Sequence, residues 1–278
     1  MMKSTDLKSE FPSVVDIAYE QYLRNLSRYK EIKDIMVKDV FTISPEASMS
    51  QAAEIMGEKH IGSLIVTKYN TPVGIVTERD FLTKVLAIEK IPEREKVETI
   101  MSYPLTTIGP TAKIKEAAHM MMRKKSRLAV FDSGNIVGIV TASDLIRSLP
   151  DVPETETKVD DFMTKEIITV DEKTPVNKII KLMGEKRIGS IIVTSQEEPF
   201  GIFTERDLLS IFLFQAKPLI AEVGREASSP LITAPAGTSI HRAAAIMALK
   251  HIRRLPIASE NKLIGIITAR DLVEVYAK

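Results

Sequence analysis

The chain of 278 residues contains no cysteine and no tryptophan. Without thiols, disulfides, thiolate nucleophiles and Cys-ligated zinc or iron–sulfur centres are excluded, and their absence suits a reducing interior. Aromatic residues make up only 5%, with none of the interleaving that a stacking platform for single-stranded nucleic acid needs. Neither sign of charge prevails, since 38 Lys and Arg stand against 37 Asp and Glu. No bulk field therefore draws the chain to nucleic acid or to an anionic membrane. No window offers ~18 uninterrupted apolar residues, and the N-terminus lacks the apolar centre of a signal peptide, so a cytoplasmic location is expected. The four histidines, His60, His119, His241 and His251, show no paired metal spacing. There is also no Walker glycine loop and no Gly-x-Ser-x-Gly elbow. The expectation is a protein that is not an enzyme, with no catalytic residue, metal or catalytic cofactor.

What is present is the balance of a globular chain, 44% apolar and 27% charged residues, with a length that favours about two domains. One phrase recurs four times: GIVTERD at Gly74 to Asp80, GIVTASD at Gly138 to Asp144, GIFTERD at Gly201 to Asp207 and GIITARD at Gly265 to Asp271. The successive threonines Thr77, Thr141, Thr204 and Thr268 are 64, 63 and 64 residues apart, a period that marks tandem structural repeats. Ahead of each phrase stands an apolar quartet at helical spacing, such as Met49, Ala52, Ala53 and Met56. A short apolar strand follows, beginning at Ser63, Arg127, Ser190 and Arg254. Seven residues before each quartet is another threonine: Thr42, Thr107, Thr169 and Thr233. After each aspartate comes a second apolar helix, for example Phe81 to Ala87 and Leu208 to Phe214. Each repeat thus reads as an extended lead, helix, strand, strand and helix, an α/β (α+β) unit of about sixty residues that is too small to stand comfortably alone.

Repeats one and three are sisters, identical at 15 of 23 positions from Glu58 and from Glu185, whereas repeats two and four carry Arg127 and Arg254 where the sisters have Ser63 and Ser190. That pattern indicates duplication of an ancestral pair. The expected organisation is an N-terminal helical extension at 1–34, one module at 35–150 with repeats at about 35–90 and 97–150, a linker at 151–158, and a second module at 159–278 with repeats at about 159–215 and 220–278. The N-terminal segment is expected to pack on the modules or on a partner subunit. Met120 to Met122 reads as core with one exposed flank.

Thr-x-x-Asp before an apolar run has two readings. It is a helix capping box, with threonine as N-cap and the acid near the N3 amide, and for a single copy that is the plainer explanation. Two features favour a ligand. Every copy is led by a glycine that a cap does not require, and Arg79, Arg206 and Arg270 immediately precede their aspartates. A hydroxyl, a cation and a carboxylate at one helix N-terminus would suit a phosphorylated sugar.

On these residues, together with HIRRLPI at His251 to Ile257, the sequence resembles the CBS-domain family over roughly Ile35 to Lys278. The resemblance implies four CBS repeats, each a small sheet with two helices, paired into two Bateman modules. The arrangement is similar to that of the gamma subunit of AMP-activated protein kinase, which implies a flat disk. It further implies a regulatory, non-catalytic protein that binds AMP, ADP or ATP between paired repeats and senses energy or metabolite state through an effector protein that the sequence does not name. Carried over, Asp80, Asp144, Asp207 and Asp271 would accept the ribose hydroxyls. Thr77, Thr141, Thr204 and Thr268, with Arg79, Arg206 and Arg270, would support ribose or phosphate, and Arg127 and Arg254 would face phosphate. Thr42, Thr107, Thr169 and Thr233 would meet the adenine edge, with Ile75 and Ile202 on its face. Repeats one and three lack a basic residue at Ser63 and Ser190, and repeat two has Ser143 in place of the arginine, so the four sites are expected to be unequal. The modules could associate within one chain or as a homodimer. The alternatives are a ligand-free scaffold or dimerisation module, an S-adenosylmethionine binder, and a binder of single-stranded nucleic acid through the basic run starting at Arg123.

Overall fold

The computed structural model describes residues 31–124, 127–148, 157–210, 218–260 and 262–278. The N-terminal segment before Glu31, most of the linker, and Ile211 to Phe214 of the second helix of repeat three lie outside the described residues.

Repeat one contains the helix α1 (Ile32–Ile35), strand β1 (Thr42–Ile43), helix α2 (Met49–Glu58), strands β2 (Ser63–Lys68) and β3 (Thr71–Thr77), and helix α3 (Glu78–Lys84). Repeat two follows with α4 (Val97–Ile100), β4 (Thr107–Ile108), α5 (Ile114–Lys124), β5 (Leu128–Asp132), β6 (Asn135–Val140) and α6 (Ala142–Ile146). Repeat three has β7 (Thr169–Asp171), α7 (Val176–Lys186), β8 (Ser190–Ser195), β9 (Glu198–Thr204) and the helical turn α8 (Glu205–Asp207). Repeat four has β10 (Ala234–Pro235), α9 (Ile240–Lys250), β11 (Arg254–Ser259), β12 (Lys262–Thr268) and α10 (Ala269–Ala277). In repeats three and four the place of α1 and α4 is taken by 3-10 turns at Val159–Asp161 and Val223–Arg225.

Each repeat forms a three-stranded sheet in which the short lead strand runs parallel to the middle strand and the last two strands form a hairpin. The hairpins close through two residues, as between Lys68 and Thr71. Tyr69 and Asn70 (φ 50 and 62), Ser133 and Gly134, and Gln196 and Glu197 all take positive φ, the turn geometry that matches strand twist. The helix quartets are buried as their spacing predicts: Met49, Ala52, Ala53 and Met56 on α2, and Val176, Ile179, Ile180 and Met183 on α7. Met121 joins the core while Met120 and Met122 pack partly against it.

The leads cross over. Val37 of repeat one exchanges both backbone hydrogen bonds with Ile139 of repeat two (3.0 and 2.9 Å), and Ser102 of repeat two does the same with Ile75 of repeat one (2.8 and 3.0 Å). Thr164 pairs likewise with Ile266, and Ser228 with Ile202. The turns that open each lead are also held by the neighbour, Ile32 N–H donating to the Ala112 carbonyl and Val97 N–H to the Ala47 carbonyl.

This crossing explains the glycines. A Cβ at Gly74 would lie 2.7 Å from Met101 Sδ, and one at Gly138 would lie 2.7 Å from Met36 Sδ. At Gly201 it would meet Ala227 and the Ser228 carbonyl oxygen at 3.1 Å, and at Gly265 it would collide with Met163. Each glycine sits where the hairpin register shifts, at a bulge. The glycine that favoured a ligand in the sequence is therefore accounted for by the close approach of the partner repeat's lead.

The two modules meet sister to sister. Leu82 of α3 is buried in the core of repeat three, and Leu209 of repeat three is buried in the core of repeat one. Gly184 of α7 lies against Ala87 so closely that a Cβ would collide with it. Repeats two and four share one continuous apolar core, with α10 packed on α5 and α6.

Candidate functional site

All four Thr-x-x-Asp phrases form capping boxes. Asp80 Oδ2 accepts from the Thr77 N–H (3.0 Å) and hydroxyl (2.6 Å), and Asp144 Oδ2 from those of Thr141 (2.9 and 2.7 Å). Asp207 Oδ2 accepts from Thr204 (2.8 and 2.7 Å), and Asp271 Oδ2 from Thr268 (2.8 and 2.8 Å). Each aspartate thus spends one oxygen on its cap, and the second oxygens differ. Asp80 Oδ1 is 2.7 Å from Lys84 Nζ, and Asp144 Oδ1 is 3.9 Å from Arg147. Asp207 and Asp271 have no partner for Oδ1 among the described residues. Burial pushes the Asp144 and Asp207 carboxyls above their ordinary range, against the pull of their threonine hydrogen bonds and of nearby arginines.

Because the leads cross, the strand ahead of each Thr-x-x-Asp phrase is bonded to the lead of its partner repeat. The lead carrying Thr107 bonds through Ser102 to Ile75, two residues before Thr77, and the lead carrying Thr42 bonds through Val37 to Ile139, two residues before Thr141. Within the second module the lead of Thr169 bonds through Thr164 to Ile266, and that of Thr233 bonds through Ser228 to Ile202. Thr42, Thr107, Thr169 and Thr233 are all exposed. Spacing alone left this cross-assignment open.

Three of the clefts, those at Thr77, Thr141 and Thr268, open on a shared central cavity of about 1350 Å³ to which all four repeats contribute. Asp80, Asp144, Thr77, Thr141, Thr268, Thr107 and Ile75 line it, as do Arg79, Arg127, Arg206, Arg254 and Arg270. Asp207, Asp271, Thr204, Thr42, Thr169, Thr233 and Ile202 lie outside its lining. Ten Lys and Arg against six Asp and Glu face this space, so a chain that is neutral overall concentrates positive charge at its centre. Four of the cationic or titratable groups stand at equivalent helix ends: His60, Lys124, Arg187 and His251. His60, Arg187 and His251 take the left-handed conformation that terminates a helix (φ 52, 54 and 53). His119 is exposed, whereas His241 is buried at 3% exposure.

At the centre the arginines are already engaged. Glu78, 2% exposed, receives Arg253 Nη2 at 2.9 Å and Arg206 Nε at 3.5 Å. Glu205, 6% exposed, receives Arg79 Nε at 3.1 Å and Arg254 Nη2 at 3.3 Å. Arg79 and Arg206 therefore reach across the module interface to each other's neighbouring glutamate, and Arg254 meets a carboxylate at the position where phosphate was expected. Burial alone would raise the Glu78 carboxyl, but Arg253, Arg127 and Arg206 together hold it below its usual value. Burial pulls the Arg127 and Arg254 guanidiniums below theirs. Glu78, Glu205 and Arg253 did not emerge from the sequence. The signal was present: Glu follows the threonine only in the two repeats that carry Gly62-Ser63 or Gly189-Ser190.

Among the described residues no cluster of metal ligands occurs, and no helix is long and apolar enough to cross a membrane. In comparisons with known proteins, the chain is 30% identical over 266 residues to protein MJ1404 of Methanocaldococcus jannaschii, covering 88% of this chain and 62% of that protein, so it spans less than two thirds of that relative. It is 29% identical over 217 residues to MJ1225 of the same organism, covering 72% and 77%. The crystal structure of MJ1225, described as a candidate archaeal homologue of g-AMPK, superposes with a TM-score of 0.75 at 23% identity, covering 89% of this chain and all of that one. A conserved protein of Pyrococcus horikoshii superposes with a TM-score of 0.60 at 24% identity, covering 88% and 99%. The family described as "CBS domain" matches residues 32–87, 97–151, 159–213 and 220–278, and with four such matches over most of its length the chain belongs to the CBS-domain family.

Proposed function

We propose that the protein is a non-catalytic sensor of adenosine nucleotides that acts through a partner protein. The observation that carries this reading is the basic central cavity, on which the three clefts at Thr77, Thr141 and Thr268, each built from a lead and a partner phrase, converge. In each cleft the base lies between the crossing lead and the aliphatic face of the last strand, at Ile75 or Ile202 and their equivalents. The aspartate offers its second oxygen to the ribose, and the phosphates turn toward the arginines and helix ends at the centre. Asp207 and Asp271, whose Oδ1 atoms have no partner among the described residues, need no rearrangement to accept a ribose hydroxyl. Asp80 must first give up Lys84. Sensing follows if the nucleotide prefers one arrangement of the two modules over another.

A scaffold without a ligand is the second reading, favoured by the observation that all four phrases already serve as caps. Calorimetric titration with AMP, ADP, ATP, S-adenosylmethionine and GTP, on protein shown by mass to be nucleotide-free, separates the two. Saturable adenine-specific binding that loses one site in Asp207→Asn, with little change in stability, supports the sensor. Absence of binding by folded protein supports the scaffold.

A further inference from the structure

The two glutamates at the centre are seated with more care than an ion pair between modules requires. Each is the first residue of its helix after the threonine cap. Each lies against a glycine whose Cβ would come 2.9 Å from the carboxyl carbon, Gly62 for Glu78 and Gly189 for Glu205. The backbone N–H of each glutamate donates to that same glycine's carbonyl, at 3.2 and 3.1 Å. Repeats two and four have Ala142 and Ala269 at this place and instead contribute an arginine at the start of their middle strand. Four guanidiniums thus converge on two carboxylates: Arg253 and Arg206 on Glu78, Arg79 and Arg254 on Glu205.

A carboxylate and a phosphate satisfy a guanidinium in the same way, by accepting its N–H groups in a plane. We propose that Glu78 and Glu205 are resident competitors for phosphate, occupying the arginines of the central cavity until an anion of higher charge displaces them, and so set which ligands the cavity accepts. The inference rests on reading the cavity as a phosphate site, though not on the adenosine part of the ligand. Its first consequence is selectivity: a ligand presenting one weakly charged group gains little by exchange, whereas a di- or triphosphate can engage several guanidiniums at once. The second is coupling. Arg79 and Arg206 each bridge the two modules, so an anion that takes either arginine also removes a tie between repeats one and three.

The test compares wild type with Glu78→Gln and Glu205→Gln, which keep the shape of the side chain and remove its charge. Inorganic pyrophosphate and ATP are titrated calorimetrically into each folded protein. The expected result is about tenfold tighter pyrophosphate binding by either variant, a difference of about 1.4 kcal/mol. If pyrophosphate binds wild type and variants alike, or binds the variants more weakly, the competitor role is overturned. If the variants bind pyrophosphate tightly while no protein binds ATP, the competitor role stands and the adenosine reading falls. If ATP and pyrophosphate both bind with unchanged affinity, the nucleotide reading stands and the competitor role falls. Should a variant lose its fold in plain buffer, thermal melting with millimolar pyrophosphate decides: recovery of a cooperative transition supports the proposal, and no recovery means that the glutamates are purely structural and overturns it.

Discussion

Repeats one and three meet through charge as well as apolar side chains, whereas repeats two and four meet through apolar helices. The first pair exchanges Leu82 and Leu209 and is tied by Arg79 to Glu205 and Arg206 to Glu78. The second pair merges into one core, with α10 lying on α5 and α6. All four units share one strand order and one cap, so this difference arises from a few positions. Gly62 and Gly189 admit a glutamate, and Ala142 and Ala269 replace it. Duplicated units have divided the work: one pair ties the modules through glutamates that also hold Arg253 and Arg254 of repeat four, and the other ties them through an apolar interface.

The largest expected effect comes from breaking the charged side. Glu78→Ala leaves Arg253 and Arg206 without their shared carboxylate and is expected to cost about 3–5 kcal/mol in urea unfolding, the range for removing one partner of a buried pair. Leu272→Ala, on the apolar side, leaves a cavity in the core shared by repeats two and four and is expected to cost about 2–5 kcal/mol. It should be insensitive to salt, whereas the Glu78 effect should shrink as salt rises. The crossing leads give a test that treats both pairs alike. Gly138→Ala drives a methyl into Met36 and is expected to cost about 1–3 kcal/mol, of which the double variant with Met36→Ala recovers a measurable part.

Thr268→Ala removes one cap and is expected to cost about 1 kcal/mol in thermal melting.

The smallest effect concerns pH, and here two sets of acids act with opposite sign. Glu78 has a lowered folded-state value, so its contribution is present above the unfolded carboxyl range and fades as pH falls through the folded one. Asp144 and Asp207 have raised values, so mild acid, between the unfolded and the folded values, relieves a cost that both carry at neutral pH. The melting difference between wild type and Glu78→Gln should therefore narrow as pH falls from about 7 to about 3, and that of Asp144→Asn should not follow it.

The fold was legible because the period and the helical quartets are local signals repeated four times. The crossing of the leads was not, since an extended lead carries no mark of which sheet edge it joins. The glycine of each phrase was seen as an anomaly, but its cause, a methionine or alanine of the partner lead, lies about thirty residues away in the chain or more. The glutamates were hidden inside the matching phrase TERD, where identity between sisters read as ancestry. Only a comparison of odd with even repeats, glycine and glutamate against arginine and alanine, would have exposed them.

The exchanged leads also bear on how such a molecule could be assembled. Since every lead bonds to the hairpin of the neighbouring repeat, no repeat closes on itself, and the smallest closed unit is a handshake between two. Joining the units on one polypeptide fixes the partners of each handshake without changing the contacts they make.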